Sequence, residues 1–302
     1  YTAVVTDENG CSDTVTVEIT ENEVLEISQN TPSLFTNSGV SCNGQTDGFI
    51  NITTTGGTQV YTYDWTDQDG NTVTANDQGN LENIGAGTYT AVVTDENGCS
   101  DTVTVEITEN EPVAVSEEHS NYAEYGVSCK NETDGFINLT TTGGTETYTY
   151  DWTDQDGNAV TANDQGNLEN IGAGTYTAVV TDENGCSDTV TVEITEPEIG
   201  VEVTEEHSDY TGAGVSCNGQ TDGFINLTAT GGTETYTYDW TDQDGNAVTA
   251  NDQGNLENIG AGTYTAVVTD ENGCSDTVTV EITENEVLEI SQNTPSLFTN
   301  SG

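Results

Sequence analysis

Short stretches in which apolar and polar residues alternate run through the whole chain, with turn-forming residues between them. In the stretch 87–95 (GTYTAVVTD), positions 89, 91 and 93 are apolar and fall on one face of an extended strand. The same period of two recurs in 61–66 and 101–108, whereas no segment carries a convincing helical period. Asp69-Gly70 is a signal for a two-residue hairpin turn. The pattern predicts about seven short strands in each stretch of some 88 residues, which is typical of a β-sandwich.

This strand pattern repeats almost letter for letter. The string YTAVVTDENGCSD begins at Tyr1 and returns at Tyr89, Tyr176 and Tyr264, with offsets of 88, 87 and 88 residues, and 283–302 copies 20–39. Such a regular period indicates an array of similar units. We therefore predict three complete modules, here called the first, second and third repeats. The predicted boundaries are 1–23 for the C-terminal part of a preceding module, 24–111, 112–198 and 199–286 for the three repeats, and 287–302 for the start of a following module.

The positions of the aromatic residues indicate which kind of β-sandwich the chain forms. Trp65 falls on the third or fourth predicted strand, where immunoglobulin-like folds bury a tryptophan, and the run from Leu81 to Tyr89 resembles a tyrosine corner. The predicted fold class is therefore all-β, with tandem immunoglobulin-like β-sandwich modules arranged end to end. Short joints without flexible Gly/Ser linkers favour packed modules over free beads. The predicted core residues are Trp65, Trp152, Trp240, Tyr89, Tyr176 and Tyr264.

The net negative charge excludes nucleic acid and anionic membranes as partners. There are 54 acidic residues against one basic residue, Lys130, for a formal net charge of −53. Binding to nucleic acid requires Lys and Arg at the phosphates, and an anionic membrane repels such a chain, so neither is a predicted partner. No apolar run is long enough to span a bilayer, so we expect no direct membrane insertion in this segment. The acidic residues alternate with apolar residues, which favours a folded chain over a disordered one. The repulsion among its negative charges must then be screened by salt or by divalent cations.

Seven cysteines occur at fixed places in the repeats. Cys42, Cys129 and Cys217 belong to the motif VSC, and Cys11, Cys99, Cys186 and Cys274 belong to the motif ENGC. With no CxxC motif or histidine partner to suggest zinc, this pattern indicates disulfides in an oxidising, extracellular setting.

The spacing leaves the connectivity open. A bond within the repeat, Cys42–Cys99 over 57 residues, is preferred. The alternative pairs Cys42 with Cys186 of the next repeat, if the VSC motif lies at the end of the sandwich opposite the ENGC turn. That alternative would crosslink consecutive modules into a stiff rod, and free cysteines are a third alternative.

The recurring motif VSCNGxTDGxIxLxxxGGxxxYxYxWxD…LxxIxAGTYTxxVTDxxGCxxTxxVxI resembles the SprB-type repeat of Bacteroidota surface adhesins, including gliding-motility adhesins. The resemblance covers each complete repeat from end to end. It implies secretion, display at the cell surface and long tandem arrays, without enzymatic activity. The near absence of Lys and Arg and the near identity of the repeats depart from the family and suggest a halophilic or marine source and a mainly structural fibre.

Oxygen-rich turns offer a weak candidate for Ca²⁺, since hard oxygen ligands suit that ion. They lack the Gly and Glu positions of an EF-hand, and a plain Asp-Gly hairpin turn is the preferred interpretation. No other cofactor is predicted. The residues of these candidate metal sites are Asp67, Asp69, Asn71, Asp154, Asp156, Asn158, Asp242, Asp244 and Asn246.

The triplet Asp-Thr-Val is similar to the acceptor pattern for O-glycans in Bacteroidota. The alternative is an ordinary outward-facing threonine on the last strand, and the two interpretations have equal weight. The candidate glycosylation sites are Thr14, Thr102, Thr189 and Thr277.

Catalysis is not expected, because no Ser-His-Asp or Cys-His set recurs and the two histidines, His119 and His207, lie in linkers. The predicted function is a structural repeat of a long, secreted, acidic cell-surface fibre or adhesin stalk stabilised by disulfides. The alternative is a multivalent module that binds glycans or extracellular surfaces. Predicted partners are neighbouring copies of the same repeat, other fibre chains, and extracellular surfaces or glycans.

Overall fold

Strands are the only regular elements in the computed structural model, which describes residues 1–31 and 33–292 and contains no helix in that part of the chain. The predicted start of a following module, 287–302, lies mostly outside the described residues. Contacts group the chain into two compact units. The first comprises Tyr1–Ser116, Thr140–Tyr150 and Val179–Thr189. The second comprises Glu117–Leu139, Asp151–Ala178 and the described residues from Val190 onward.

The first unit contains the N-terminal fragment and the whole first repeat. The fragment is an antiparallel hairpin of β1 (Thr2–Thr6) and β2 (Ser12–Thr16). The first repeat has eight strands, β3 (Glu26–Gln29), β4 (Gly48–Ile50), β5 (Ile52–Thr55), β6 (Tyr61–Thr66), β7 (Thr72–Val73), β8 (Leu81–Ile84), β9 (Gly87–Asp95) and β10 (Ser100–Ile107). Strands β10-β9-β6-β7 form one antiparallel sheet, while β3 pairs with β5 and β4 with β8.

The core of the first repeat lies between these pairings. Trp65 on β6 is 1 % exposed, and its indole Nε1 donates to the carbonyl of Gly79 at 2.9 Å. Tyr89 on β9 donates its hydroxyl to the carbonyl of Gly85 at 3.0 Å, which closes a tyrosine corner. Burial and the charge of Asp67 raise the pKa of Tyr89. The two aromatic residues pack with aliphatic side chains of the four-stranded sheet and of the two strand pairs, as alternation with a period of two requires.

The second repeat is divided between the two units. Its strands are β11 (Ala114–His119), β12 (Gly135–Thr142), β13 (Tyr148–Thr153), β14 (Ala159–Val160), β15 (Leu168–Ile171), β16 (Gly174–Asp182) and β17 (Ser187–Ile194). Trp152 and Tyr176 repeat the bonds of the first repeat, donating to Gly166 at 2.8 Å and to Gly172 at 3.0 Å.

The second unit contains the whole third repeat. Its strands are β18 (Glu202–His207), β19 (Gly223–Thr230), β20 (Tyr236–Asp242), β21 (Ala247–Val248), β22 (Leu256–Ile259), β23 (Gly262–Asp270) and β24 (Ser275–Ile282). They form the sheets β18-β19-β22 and β21-β20-β23-β24. Trp240 is 2 % exposed and Tyr264 is half-buried, with the same two hydrogen bonds to Gly254 and Gly260.

This architecture confirms the predicted all-β class with immunoglobulin-like sandwiches. The predicted two-residue hairpin at Asp69-Gly70 is wrong. Thr66 pairs with Thr72, so five residues lie between β6 and β7, and the N–H of Asp67 bonds the carbonyl of Asn71 at 3.0 Å, which leaves three residues in the turn itself. The side chain of Asp67 competes for the turn N–H groups, which widens the loop.

Candidate functional site: a disulfide junction between repeats

Two disulfides join consecutive repeats. Cys42 of the first repeat bonds Cys186 of the second, with an S–S distance of 2.06 Å and Cα atoms 5.6 Å apart. Cys129 of the second repeat bonds Cys274 of the third in the same way, with Cα atoms 5.7 Å apart. The sequence separations are 144 and 145 residues. Each bond pairs a VSC cysteine with the ENGC cysteine of the repeat that follows.

The preferred pairing within the repeat, Cys42–Cys99, is therefore wrong, and the cross-repeat alternative is the one found. The reason lies in β10. Cys99 immediately precedes this eight-residue strand, whereas the chain leading into Cys42 is fastened beyond its other end, where Gly39 N–H donates to the carbonyl of Thr108 at 2.9 Å. Eight residues of strand span about 26 Å, far beyond the 4.4–6.8 Å that disulfide geometry allows between Cα atoms.

The ENGC turn is built around a buried aspartate. In the second repeat, Asp182 is 6 % exposed, and its Oδ1 accepts the N–H groups of Asn184 at 3.0 Å and Cys186 at 2.9 Å. Its Oδ2 accepts the N–H of Thr145 at 3.1 Å, which fastens the turn to the neighbouring Gly-Gly loop. The turn therefore presents Asn184 and Cys186 in a fixed geometry.

Asn184 is the recognition residue of the junction in the first unit. Its Oδ1 accepts the N–H of Thr36 at 3.0 Å, and its Nδ2 lies 3.3 Å from the carbonyl of the same residue. Cys186 Sγ lies 3.1 Å from the carbonyl of Ser41. We call the receiving surface a socket, defined as the stretch that precedes and includes the VSC cysteine (36–42, 122–129 and 210–217).

The socket has an internal scaffold of its own. Ser38 is 5 % exposed and donates its hydroxyl to the carbonyl of Val40 at 2.7 Å. The N–H of Ser41 donates to Asp47 Oδ1 at 3.0 Å. Hydrogen bonds from the side chain and backbone of Ser41 lower the pKa of Asp47. These bonds hold the carbonyls of the socket in place.

The second unit contains the same junction with the residues of the next pair. Asn272 Nδ2 donates to the carbonyls of Tyr122 at 3.1 Å and Ser128 at 3.2 Å. Cys274 Sγ lies 3.2 Å from the carbonyl of Ser128, and Cys274 is only 8 % exposed. The aspartate of the turn, Asp270, accepts the N–H groups of Asn272 and Cys274.

The remaining cysteines, Cys11, Cys99 and Cys217, are exposed and unpaired within the described part of the chain. Two of them belong to ENGC turns and one to a socket. All seven cysteines are named from the sequence, whereas the Asp95-Glu96-Asn97 turn before Cys99 is predicted there only as a second candidate for Ca²⁺ and not as part of a junction. The signal was present, because the string TDENGC occurs unchanged in all four copies.

The oxygen-rich turns at the candidate metal sites are closed by their own hydrogen bonds. Asp67 Oδ1 accepts the N–H groups of Asp69 at 3.0 Å and Asn71 at 2.8 Å, and Asn71 Nδ2 donates to Asp67 Oδ2 at 3.0 Å. The side-chain hydrogen bond from Asn71, followed by that from its backbone, lowers the pKa of Asp67. Among the described residues no group of three or more His, Cys, Asp or Glu side chains is placed to hold a metal ion. The calcium sites stay a prediction. The same bonds recur in the turns that begin at Asp154 and Asp242.

The candidate glycosylation threonines are exposed on strand faces. The preceding aspartate has a structural role that the sequence analysis missed. Asp101 Oδ1 accepts the N–H of Thr102 at 2.8 Å, and its Oδ2 accepts the N–H of Ile27 at 2.9 Å, which fastens β10 to β3. Asp188 and Asp276 make the equivalent bonds to Val115 and Val203. Glycosylation stays a prediction.

The two histidines each bond a glutamate two residues earlier, His119 Nδ1 to Glu117 and His207 Nδ1 to Glu205, both at 2.8 Å. These pairs lie on exposed strands. In the part of the chain that the structure describes, no helix is long and apolar enough to cross a membrane.

A family model described as the SprB repeat matches three segments of the chain, 35–70, 127–157 and 214–245. Each segment begins in or beside a socket and extends through the Trp-bearing strand of its repeat. A comparison with curated proteins finds no match.

Solved structures with related folds include the tetra-tandem repeat in the extending region of a large adhesion protein, at 18 % identity and a TM-score of 0.30, covering 94 % of this chain and 80 % of that chain. A Ca²⁺-stabilised adhesin with which an Antarctic bacterium binds ice matches at 20 % identity and a TM-score of 0.39, with the same coverages. Similarities at this level carry no inference about ligands or partners.

Proposed function

We propose that the chain is a structural segment of a long, secreted, acidic fibre or adhesin stalk at the cell surface, and the match of the SprB repeat model to three of its segments supports this proposal. The observation that carries the proposal is the disulfide junction. Each disulfide links one repeat to the next, so the three repeats are joined covalently by disulfides as well as by the main chain. A bond placed between modules resists their separation, which a stalk under load requires.

The two closed loops overlap, since Cys129 lies inside the loop closed by Cys42–Cys186. In the chain-entropy model a loop of this length constrains the unfolded state by about 5 kcal/mol. A repeat that unfolds under tension therefore stays tied to its neighbours. This argument supports mechanical strength as the role of the junction.

The chemistry of the same bonds supports an extracellular location. Structural disulfides persist in oxidising compartments and are rare in a reducing cytosol. The net charge of −53 supports a saline exterior, where salt screens the repulsion between neighbouring fibres.

The alternative function, multivalent binding of glycans, draws less support from the surface. Two tyrosines of β6 on which a sugar ring could stack are packed against their own repeat. Tyr61 and Tyr63 are half-buried with ring centroids 6.5 Å apart, and the backbone of Gly79 lies against the ring of Tyr63. Exposed turns such as 67–71 consist of Asp, Gln, Gly and Asn.

Electron microscopy of native surface material, labelled with an antibody against the folded repeat, tests the proposal. We expect continuous fibres labelled at regular intervals along their length, which shorten or fray after reduction with dithiothreitol. The control is the same antibody blocked with the purified repeat array. Label on scattered short particles, with no fibre, would overturn the structural role and favour the binding module.

A further inference from the structure

All the ENGC turns of the chain have the same sequence, so the turns themselves do not determine which socket each one enters. The string TDENGC occurs unchanged in all four copies, and the residues that contact the first socket, Asn184 and Cys186, are part of it. The disulfide nevertheless joins Cys42 to Cys186 and not to Cys274. The choice of partner must therefore come from residues outside the turn.

The chain that leaves the first repeat is fastened beside the socket of that repeat. We call residues 108–113, between β10 and β11, the first joint. The carbonyl of Thr108 accepts the N–H of Gly39 at 2.9 Å, and Glu109 Oε2 accepts the N–H of Gly44 at 2.6 Å. These two bonds hold the start of the joint on both sides of the VSC motif.

Asn110 of the first joint meets the docked turn at a single carbonyl group. Its Nδ2 donates to the carbonyl of Thr36 at 3.1 Å, and Asn184 Nδ2 of the turn lies 3.3 Å from the same oxygen. The carbonyl of Asn110 accepts a hydrogen bond from Asn43 Nδ2 at 3.1 Å. The joint and the turn of the next repeat therefore occupy adjacent positions on the socket.

The residue after Asn110 is bonded to the following repeat. The carbonyl of Glu111 accepts the N–H of Gly144 at 2.8 Å. Thr145, the residue after Gly144, donates its N–H to Asp182 Oδ2, which belongs to the buried carboxylate of the docked turn. Two consecutive residues of the joint are therefore bonded to the socket of one repeat and to the loop that supports the turn of the next.

The second joint, 195–201, makes corresponding bonds with different residues. Lys130, the one basic residue of the chain, donates its Nζ to the carbonyl of Glu198. The carbonyl of Ile199 accepts the N–H of Gly232 at 2.9 Å, in the loop that supports the next turn. The other bonds are those of Gly126 N–H to the carbonyl of Thr195, at 2.9 Å, and of Asn131 N–H to Glu196 Oε2, at 2.6 Å. The same arrangement therefore arises from different side chains.

We propose that the joints determine which turn docks in which socket. The positioning residues are Glu109 and Asn110 at the first joint, and Lys130 and Glu196 at the second. A short tether that is fixed at both ends holds the turn of the next repeat at a high effective concentration at the socket. An identical turn from another repeat or another chain has no such attachment. The inference rests on the proposed function, in which the junctions join consecutive repeats, and it names the residues that determine the order of joining.

Redox equilibrium with glutathione measures the effect at each junction separately. When Cys42 and Cys186 form their bond, the two thiols give two protons and two electrons to glutathione disulfide, which becomes two glutathione thiols. Samples are equilibrated over a range of glutathione ratios, quenched with acid, digested and analysed by mass spectrometry. The ratio at which half of the chains hold the bond gives the effective concentration of its two thiols.

The double variant Glu109→Ala/Asn110→Ala tests the first joint. We expect it to lower the effective concentration at Cys42–Cys186 about tenfold, since the joint loses two side-chain hydrogen bonds to the socket and its surroundings. The bond Cys129–Cys274 in the same molecule should stay unchanged and serves as the internal control.

Three single variants complete the set. Glu196→Ala at the second joint should weaken Cys129–Cys274 alone. Glu109→Gln keeps an oxygen that can accept the N–H of Gly44, so it should retain most of the native effective concentration. Glu106→Ala removes the same charge from an exposed position on β10 and should change neither junction.

Selection among identical turns is measured in mixtures of isotope-labelled and unlabelled chains. The mixture is reduced and then reoxidised with glutathione disulfide in about 1 M NaCl, which screens repulsion between the acidic chains. Native chains should form Cys42–Cys186 within one chain. The double variant should form about tenfold more of this bond between labelled and unlabelled chains, because the turn of its own next repeat has lost its advantage in effective concentration.

Several outcomes would overturn the proposal. They are no change at either junction, equal weakening of both junctions by the double variant and by Glu109→Ala alone, and an effect of Glu106→Ala as large as that of the double variant. If Cys42–Cys186 forms in the native chain but does not respond to the joint variants, only this inference fails. If that bond does not form in the native chain at all, the proposed function fails as well.

Discussion

In the ENGC turn of each complete repeat, one buried carboxylate, that of Asp95, Asp182 or Asp270, accepts three N–H groups, so the geometry of the turn depends on it. Replacing Asp182 with Asn puts an amide NH₂ opposite the N–H of Thr145, so a buried donor loses its acceptor. We expect the free energy of unfolding to fall by about 1–3 kcal/mol, and the Cys42–Cys186 bond to form more slowly on refolding.

Denaturant unfolding at constant temperature measures this change. Glu183→Gln is the matched control, since Glu183 is the next residue, is exposed and uses only its backbone N–H in the turn. Asp182→Asn variants as stable as Glu183→Gln would contradict the role assigned to the buried carboxylate.

Acid should weaken the sockets. Hydrogen bonds from Ser41 lower the pKa of Asp47, and those from Ser216 lower the pKa of Asp222. A carboxyl group whose pKa is lower in the folded state binds protons more readily when unfolded, so its stabilising effect is complete above about pH 4 and is lost as the pH falls further.

We therefore expect the free energy of unfolding, measured in about 1 M NaCl so that general repulsion is screened, to be level from neutral pH down to about pH 5 and to fall below about pH 4. Asp47→Asn should flatten part of that fall. A stability that rises steadily into acid would show that relief of charge repulsion outweighs the socket bonds.

How far the sequence predicts the structure differs from residue to residue. The burial of Trp65 and the hydrogen bond of Tyr89 follow from strand alternation and a tyrosine-corner motif, both of which are local. The partner of Cys42 is not local. It depends on whether each cysteine lies near the N-terminal or the C-terminal end of β10. The number of residues between two cysteines does not give that information. The recognition role of Asn184 depends on the surface that meets it, and that surface belongs to a different repeat.

At the scale of elements, the same strand sequence is buried or exposed according to its surroundings. Val5 on β1 is 72 % exposed, whereas its counterpart Val93 on β9 is fully buried. Leu288 is 90 % exposed, whereas its counterpart Leu25 is 7 % exposed. The local sequence is identical in each pair, so the difference in burial comes from the residues that pack against it. A single hairpin of this sequence cannot form a core on its own.

The first strand of each repeat docks against a Gly-Gly loop. A Cβ at Gly56 would lie 1.9 Å from the carbonyl oxygen of Val24, just before β3, whereas one at Gly70 would meet nothing within 4 Å. Both glycines have a positive φ, +77° and +80°. Comparing Gly56 with Gly70 therefore separates the energetic cost of a steric clash from the energetic cost of a positive φ.

We expect Gly70→Ala to lower the free energy of unfolding by about 1–2 kcal/mol, the ordinary cost of the left-handed region. Gly56→Ala should cost clearly more, because β3 must also move away from β5. Thermal and denaturant unfolding of the two variants measure the difference. Equal losses would mean that the start of β3 is too mobile to feel the contact.

At the scale of the whole molecule, charge opposes folding. With a net charge of −53 and one basic residue, almost every charge pair on the surface is repulsive. Raising NaCl from about 0.1 M to about 1 M shortens the Debye length from about 10 Å to about 3 Å. We therefore expect Tm to rise with salt over this range.

Two controls distinguish screening of charge repulsion from other causes of a higher Tm. Sucrose at matched osmolality should raise Tm less than NaCl does. EDTA at constant ionic strength should leave Tm unchanged, because the oxygens of Asp67 already accept hydrogen bonds from Asn71 and Asp69. A large fall in Tm with EDTA would instead establish specific calcium sites in the oxygen-rich turns.

The overlapping disulfide loops set how far the molecule can be stretched. With both bonds intact, the shortest covalent path runs from the N-terminus to Cys42, across to Cys186, back to Cys129 and across to Cys274. Reduction releases the residues that this path bypasses and lengthens the fully extended chain by about 600 Å. Single-molecule pulling from the two ends, with and without dithiothreitol, measures that difference.

The double variant Cys186→Ser/Cys274→Ser lacks both disulfides. Without dithiothreitol it should reach the same extended length that the native chain reaches in dithiothreitol. The path through the two bonds bypasses residues 43–128 and 187–273, so these residues are not extended by the load while the bonds are intact. A fibre built from such units would lengthen by a limited amount and refold when the load is removed. An extension that is the same in oxidised and reduced protein would mean that force never reaches the junctions, and the mechanical role would then fail.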